Sequence, residues 1–324
     1  MDVLTPAPQQ ARPQYGVIAL PGDLSLPLDL EAMARGRRTE LEIGFGNGEY
    51  TVKHARRAPD VLLWGIELSP ACVLRCARRA AGLDNLRLIR TDARRMMKEL
   101  FRDEALDRVY MNFPCPWPKR RHAHRRVTAR DFTDSLAAVL RLGGVFELLT
   151  DDEPYAHEAL DRIGNHTALE GRGFEVNPVR SVTTKYERKW LELGKPIYRL
   201  TFVKTRPFTT ARQTWEGSEV HIRTTRRPTE ECLSALADVS GGVGDARWSF
   251  GRLALERDPE GGFLLEAFSN DEEFDQRYYI HISPRDEGAL VRLDRTANAF
   301  LTPAVKGALA DVAARIDALE EPEG

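Results

Sequence analysis

Between Glu40 and Leu149 of the 324-residue chain, short apolar runs alternate with amphipathic stretches. The runs are ELEIGF, VLLWGIEL, LRLIRT, DRVYMNF and GVFELLT, and between them lie EYTVKHARRA, PACVLRCARRAAG, ARRMMKELF and ARDFTDSLAAVLRLGG. Each intervening stretch repeats its apolar residues at helical spacing. In the last, Phe132, Leu136, Val139 and Leu140 share a face, and Gly143-Gly144 ends it. Apolar strands separated by amphipathic helices predict a parallel sheet covered on both faces, a doubly wound α/β domain. After a further helical stretch, PYAHEALDRIG, the runs FEVNPVRSVTT and PIYRLTFVKT have no helical separator and are expected to close the sheet as an antiparallel pair.

Beyond TRPF at residues 205–208 the pattern changes. EVHIRTT, ARWSFGRLALER, GFLLEAFSN, RYYIHIS and ALVRLD read as strands, DPEGG at 258–262 as a hairpin turn, and PAVKGALADVAARIDALEE as a closing helix. The expected layout is a loose leader over 1–38, an α/β domain over 39–205 and a small α+β domain over 206–324. No internal repeat or low-complexity tract interrupts it.

Composition narrows the class. No apolar run approaches the roughly 18–20 residues a membrane helix needs. The opening MDVLTPAPQQARPQ lacks the charged-then-apolar order of a signal peptide. A cytoplasmic protein is expected. Cys72, Cys76, Cys115 and Cys232 are too scattered for a disulfide framework, and no second Cys/His pair stands at zinc-like spacing, so no metal site is expected. The net charge of −2 hides an asymmetry: residues 206–324 hold 14 Lys+Arg against 22 Asp+Glu, a balance of −8, which leaves +6 for residues 1–205. The first part is thus expected to meet something negative and the second is not.

ELEIGFGNGEY places Gly44, Gly46 and Gly48 between a strand and a helix, where glycines allow a tight turn and bring backbone N–H groups close to a ligand. Position 49, where the dinucleotide fingerprint would need a third glycine, is Glu49, and the Walker lysine motif is absent. Three successive strand ends carry an acid to one edge: Glu42 before the first glycine, Glu67 in GIELS and Asp92 in RTDARRM. An acid at Glu67 can accept hydrogen bonds from both ribose hydroxyls. The ligand this suggests is a cationic nucleoside, S-adenosylmethionine.

The fourth strand runs into NFPCPWPKRRHAHRR. Its prolines fix the backbone and leave carbonyls free to face a planar base. Trp117 is placed to stack on a base or on the core, and Lys119, Arg120, Arg121, Arg125 and Arg126 concentrate charge where phosphates would pass.

Together LEIGFGNGEY, GIELS, TDA, NFPCPWPKRRHAHRR, TDDEPYA and TKYERK, spread from about residue 38 to 204, resemble in order and spacing the bacterial tRNA (guanine-N7)-methyltransferases. The resemblance implies a Rossmann-like methyltransferase domain, S-adenosyl-L-methionine as cofactor, and a guanine in the tRNA variable loop as substrate. It implies Glu42, Glu67 and Asp92 as cofactor contacts. Lys119, Asp151, Thr184, Lys185, Tyr186 and Glu187 would contact tRNA or guanine. Residues 206–324 lie outside it, and an oligomer contact, a protein partner or a lid are all open for them.

One position departs from the family. Its motif is F-P-D-P-W, with an acid regarded as both catalytic and cofactor-binding, and here Cys115 stands at that place. Either Cys115 is a nucleophile, as in enzymes that methylate C5 of pyrimidines through a thiolate adduct, or it is a tolerated replacement. Guanine N7 has a free lone pair and no proton, so its methylation needs no general base; alignment and placed charge do most of the work. Asp151 or Asp152 would then supply the negative charge beside the base as it becomes cationic. The expected activity is methyl transfer to guanine N7 of tRNA by direct displacement without metal. A tRNA-binding protein of the same fold that has lost catalysis is the alternative.

Overall fold

The computed structural model describes residues 16–116, 126–180, 182–183, 185–213, 221–256, 262–272, 274–294 and 296–318, the side chains of Lys185 and Tyr186 excepted. These residues form two compact units, the first from residues up to 19 and 26–213, the second from 20–25 and the residues after 213.

The first unit alternates as its pattern predicts: β1 Arg38–Ile43, α2 Glu49–Arg57, β2 Val61–Glu67, α3 Pro70–Arg79, β3 Leu86–Arg90, α4 Ala93–Leu100, β4 Leu106–Asn112, α5 Arg130–Val139, β5 Leu140–Thr150 and α6 Glu153–Gly164, with a short α1 at Leu30–Ala34 before them. β6 Leu169–Val176, α7 Lys185–Glu192 and β7 Tyr198–Lys204 follow. The sheet order is β3-β2-β1-β4-β5-β7-β6, with β1 to β5 parallel and β7 antiparallel to both its neighbours. This is a Rossmann-like doubly wound sheet with an antiparallel closing strand. The order reverses between β1 and β4, and right-handed crossovers there put the helices of the two halves on opposite faces. Strands buried on both sides explain their unbroken apolar runs: Leu41, Leu63, Trp64, Leu88, Val109 and Phe146 are fully buried.

Helix starts follow local chemistry. Ser69, Asp92 and Asp152 each accept a backbone N–H in the first turn of α3, α4 and α6, and Pro70 and Pro154 occupy opening positions where no N–H is needed.

Three expectations are corrected. The segment from FEVNPVRSVTT to PIYRLTFVKT does contain a helical separator: KYERKWLE forms α7, although β6 and β7 still pair antiparallel. The leader is packed from residue 16 onward: Ala19 N–H donates to Leu88 O, and Leu88 N–H donates to Val17 O, extending the sheet beyond β3. Val17 and Leu28 are buried, so hydrophobic burial holds what composition alone reads as loose. The first unit also continues past TRPF to Gln213. Arg212 donates to Lys98 O and Phe101 O, and Gln213 N–H donates to Glu99.

The second unit contains β8 His221–Thr224, α8 Glu230–Ser234, β9 Ser240–Val243, β10 Ala246–Glu256, β11 Gly262–Asp271, β12 Phe274–Pro284, β13 Ala289–Leu293 and α9 Pro303–Asp317. Its six-stranded sheet is antiparallel, in the order β8-β13-β12-β11-β10-β9. β9 and α8 have no counterpart in the sequence reading, because SGGV and EECLS are too short to carry a period. Most of the DPEGG turn lies outside the described residues. Leu265, Ala267, Tyr278, Ile280, Ile282 and Val291 line one sheet face against Val305, Leu309 and Val312 of α9. Gly307 lets the helix lie against Trp248, since a Cβ there would stand 2.4 Å from the indole ring. The indole N–H donates to Asp311 at 2.9 Å. Among the described residues no helix is long and apolar enough to cross a membrane.

Candidate cofactor and base site

Parallel β1, β2, β3, β4 and β5 bring their carboxyl ends to one edge, and the crevice at the order reversal lies there. Gly44, Gly46 and Gly48 all have left-handed φ, at 70°, 53° and 74°. They differ in surroundings. A Cβ on Gly44 or Gly46 would meet nothing within 4 Å, so the loop presents bare backbone to open space. A Cβ on Gly48 would stand 2.2 Å from Cys76 Sγ, so Gly48 permits close contact of α2 with α3.

Glu67 closes the loop from the second strand. One oxygen accepts Gly46 N–H at 2.9 Å; the other accepts Leu68 N–H and Ser69 N–H at 2.8 and 2.9 Å. Asp92 caps α4 and holds the Arg94 guanidinium at 2.7 Å. Glu42 is buried: Oε2 accepts Thr51 Oγ1–H at 2.6 Å and Oε1 accepts from Asn112 Nδ2 at 2.9 Å. Burial pushes its carboxyl above the usual range, against the pull of those two hydrogen bonds. The three acids therefore reach the same sheet edge with their oxygens already engaged by the protein, and Glu42 lies beneath the loop rather than in the open.

β4 ends abruptly. Phe113 takes a left-handed φ of 54°, uncommon for an aromatic residue, while its N–H donates to Leu149 O at 2.8 Å. The turn sets Cys115 at the surface, exposed. Asp151 follows β5, half-buried. Asp152 is committed to capping: it accepts Tyr155 N–H at 2.8 Å, leaving Asp151 as the acid available to a ligand.

Arg126 departs from its expected place. Its guanidinium pairs with Glu158, which also accepts Thr128 Oγ1–H at 2.8 Å, and its side chain is only 14% exposed. A partly buried ion pair holds it there rather than presenting it to a phosphate. Trp117, Lys119, Arg120, Arg121, Arg125 and Thr184 lie outside the described residues, as do the side chains of Lys185 and Tyr186.

Glu187, with Asp151 one of the two expected tRNA or guanine contacts whose side chains are described, is 2% exposed. It accepts Arg180 Nη1–H at 2.9 Å, and Arg180 Nη2 donates to Asn112 Oδ1 at 3.1 Å. A polar chain therefore runs Glu187–Arg180–Asn112–Glu42–Thr51, linking the sixth motif block to the first. Asn112 and Arg180 escape sequence reasoning. Asn112 reads as the end of an apolar strand, and Arg180 sits 68 residues away in a loop without period. The only local hint is a polar amide closing RVYM.

The family model described as "Putative methyltransferase" matches residues 37–200. A tRNA (guanine-N(7)-)-methyltransferase of Thermotoga maritima is 37% identical over 91% of this chain and 95% of its own length. The protein of that name from Thermus thermophilus is 32% identical over 86% of this chain and 88% of its own. With 91% of the chain covered, the likeness runs on into residues 206–324, which the six motif blocks leave outside. The chain belongs to the tRNA (guanine-N(7)-)-methyltransferase family.

Proposed function

We propose that this protein methylates N7 of a guanine in the variable loop of tRNA, using S-adenosyl-L-methionine, and that it does so in the cytoplasm. The observation that carries the reading is the loop of Gly44 and Gly46, open where side chains would project and with Gly46 held by Glu67, at the sheet edge where β4 and β5 deliver Cys115 and Asp151. Open space where side chains would project is the room a nucleoside cofactor needs, and carboxylates suit its cationic end.

S-adenosylmethionine supplies, when bound, a methyl group on a cationic sulfur, open to direct displacement. The glycine-loop backbone, with Glu42 beneath it, holds the amino-acid end. Glu67 accepts from the ribose hydroxyls and Asp92 stands at the adenine side. N7 carries no proton, so no residue need act as a base. Asp151 offers negative charge as the guanine becomes cationic, a task the Cys115 side chain performs less well than a carboxylate. Thr184, Lys185, Tyr186 and Glu187, the base segment, orient the guanine. Lys119, Arg120, Arg121 and Arg125 take phosphates, while Arg126 is tied to Glu158. The acidic second unit serves as a contact for a protein partner or a second copy rather than for the RNA backbone.

The test is label transfer from methyl-labelled cofactor to two transcripts of one tRNA. A transcript with its variable-loop guanine should take label, and the same transcript with adenine there should not. Equal labelling of both would reject the assignment.

A further inference from the structure

Arg180 has no place in the chemistry above, yet its side chain is only 5% exposed and is the centre of a buried polar cluster. Nη1 donates to Glu187 at 2.9 Å, Nη2 donates to Asn112 Oδ1 at 3.1 Å, and Glu147 of β5 lies 3.8 Å from Nη2. The guanidinium sits 4.9 Å above the Tyr50 ring of α2. Arginine has donors only, so its bond to Oδ1 decides which way the Asn112 amide points. Nδ2 is left facing Glu42 and can only donate. Were the amide turned over, its oxygen would face a carboxylate oxygen, and the Glu42 hydrogen bond would be lost.

A second link runs parallel to the first. Arg188 of α7 donates to Glu49 at 2.8 Å, and Glu49 opens α2 directly after Gly48. The base segment at α7 is thus fastened to the cofactor loop through Glu42 on one side and Glu49 on the other.

We propose that Arg180 is a positioning residue that fixes the Asn112 amide, and through it Glu42, so that the cofactor and tRNA each favour binding of the other. The inference rests on the methyltransferase reading above. tRNA bound at α7 holds Arg180 and Asn112 in the geometry Glu42 needs; a bound cofactor holds Glu42 in the geometry Asn112 and Arg180 need. Linkage makes the two effects equal. Lysine does not replace arginine here, because one ammonium cannot present a planar fork to Glu187 and Asn112 together.

The test measures binding of sinefungin, a cofactor analogue with no methyl to transfer, with and without unmodified tRNA. Wild-type protein should bind sinefungin at least about fivefold more tightly with tRNA present. Arg180→Lys should reduce that ratio to near one while remaining folded by circular dichroism. Asn112→Ala leaves the Arg180–Glu187 pair intact and should also abolish the ratio, which covers the case of a poorly folded Arg180 variant. A wild-type ratio of one overturns the proposal, as does a full ratio in Arg180→Lys or Asn112→Ala. A merely structural role would lower the melting temperature and leave the ratio unchanged. Failure of the wild type to bind either ligand would overturn the methyltransferase reading itself, a distinct result.

Discussion

Glu67 accepts the backbone N–H of Gly46 at 2.9 Å, so the acid at the end of the second strand holds the loop that follows the first. Its other oxygen accepts from Leu68 and Ser69, which makes this side chain the clasp between loop and strand end. Glu67→Ala should remove both the clasp and the ribose acceptor. Charge-assisted hydrogen bonds contribute about 1.5–3 kcal/mol each, so cofactor affinity should fall by at least about tenfold. Calorimetric titration with S-adenosylmethionine checks it, and unchanged affinity would remove Glu67 from the cofactor site.

The proposed mechanism divides between Cys115 and Asp151 a task that the family motif assigns to one acid. Cys115→Ala should still yield 7-methylguanosine, because the transfer needs no thiolate. Cys115→Asp should raise turnover by about tenfold, the order expected when one charge is placed near a developing cation. Asp151→Ala should lose most activity. Complete loss of transfer in Cys115→Ala, with the fold intact, would instead indicate a covalent role.

Gly48 is a close-packing position between α2 and α3. Alanine there would take a left-handed φ of 74° and put its Cβ 2.2 Å from Cys76 Sγ. The conformation costs about 1–2 kcal/mol and the overlap about 1–3 kcal/mol more. Gly48→Ala should melt well below wild type, and adding Cys76→Ala should recover only part of that loss, because the Cβ of residue 76 would still stand 2.6 Å away. Differential scanning calorimetry on the single and double variants measures the recovery.

The same packing makes the cysteines unequal. Burial pushes the Cys76 thiol up to about 12, whereas Cys115 is exposed. Iodoacetamide on the native protein should modify Cys115 and spare Cys76 in the mapped peptides.

A buried cluster beneath the site governs acid stability. Glu40 accepts from Tyr110 Oη–H at 2.8 Å and lies 2.7 Å from His54 Nε2. Burial pushes its carboxyl up, but the hydrogen bonds from His54 and Tyr110 outweigh it and hold the carboxyl below its ordinary value of 4.5. A lowered value in the folded state means stability that is present above the unfolded value and lost as pH falls through the folded one. Glu40→Gln should therefore flatten melting temperature against pH below about pH 4.5 and leave a roughly constant deficit above it. An unchanged acid limb would contradict that role.

Much of this was legible in the sequence, because parallel strands buried on both faces leave apolar runs and their carboxyl ends carry the chemistry. ELEIG, GIELS and RTD placed Glu42, Glu67 and Asp92 at one edge before any coordinates. What stayed hidden is tertiary. Arg180 meets Asn112 across 68 residues, and nothing in NPVRSVTT marks it. Residues 17–19 join the sheet only because Leu88 offers an edge. TKYERK enters only through the family resemblance, and its sequence does not mark the helix whose Arg188 is pinned to Glu49. Arg126 belongs by composition to the basic burst, but Glu158 of α6 holds it.

The central claim is a reaction, and its product is the most direct measure of it. Purified protein incubated with unmodified tRNA and methyl-labelled S-adenosylmethionine should give labelled 7-methylguanosine as the main modified nucleoside in a nuclease digest. Labelled 5-methylpyrimidine, or no label despite binding of both cofactor and tRNA, would contradict the account.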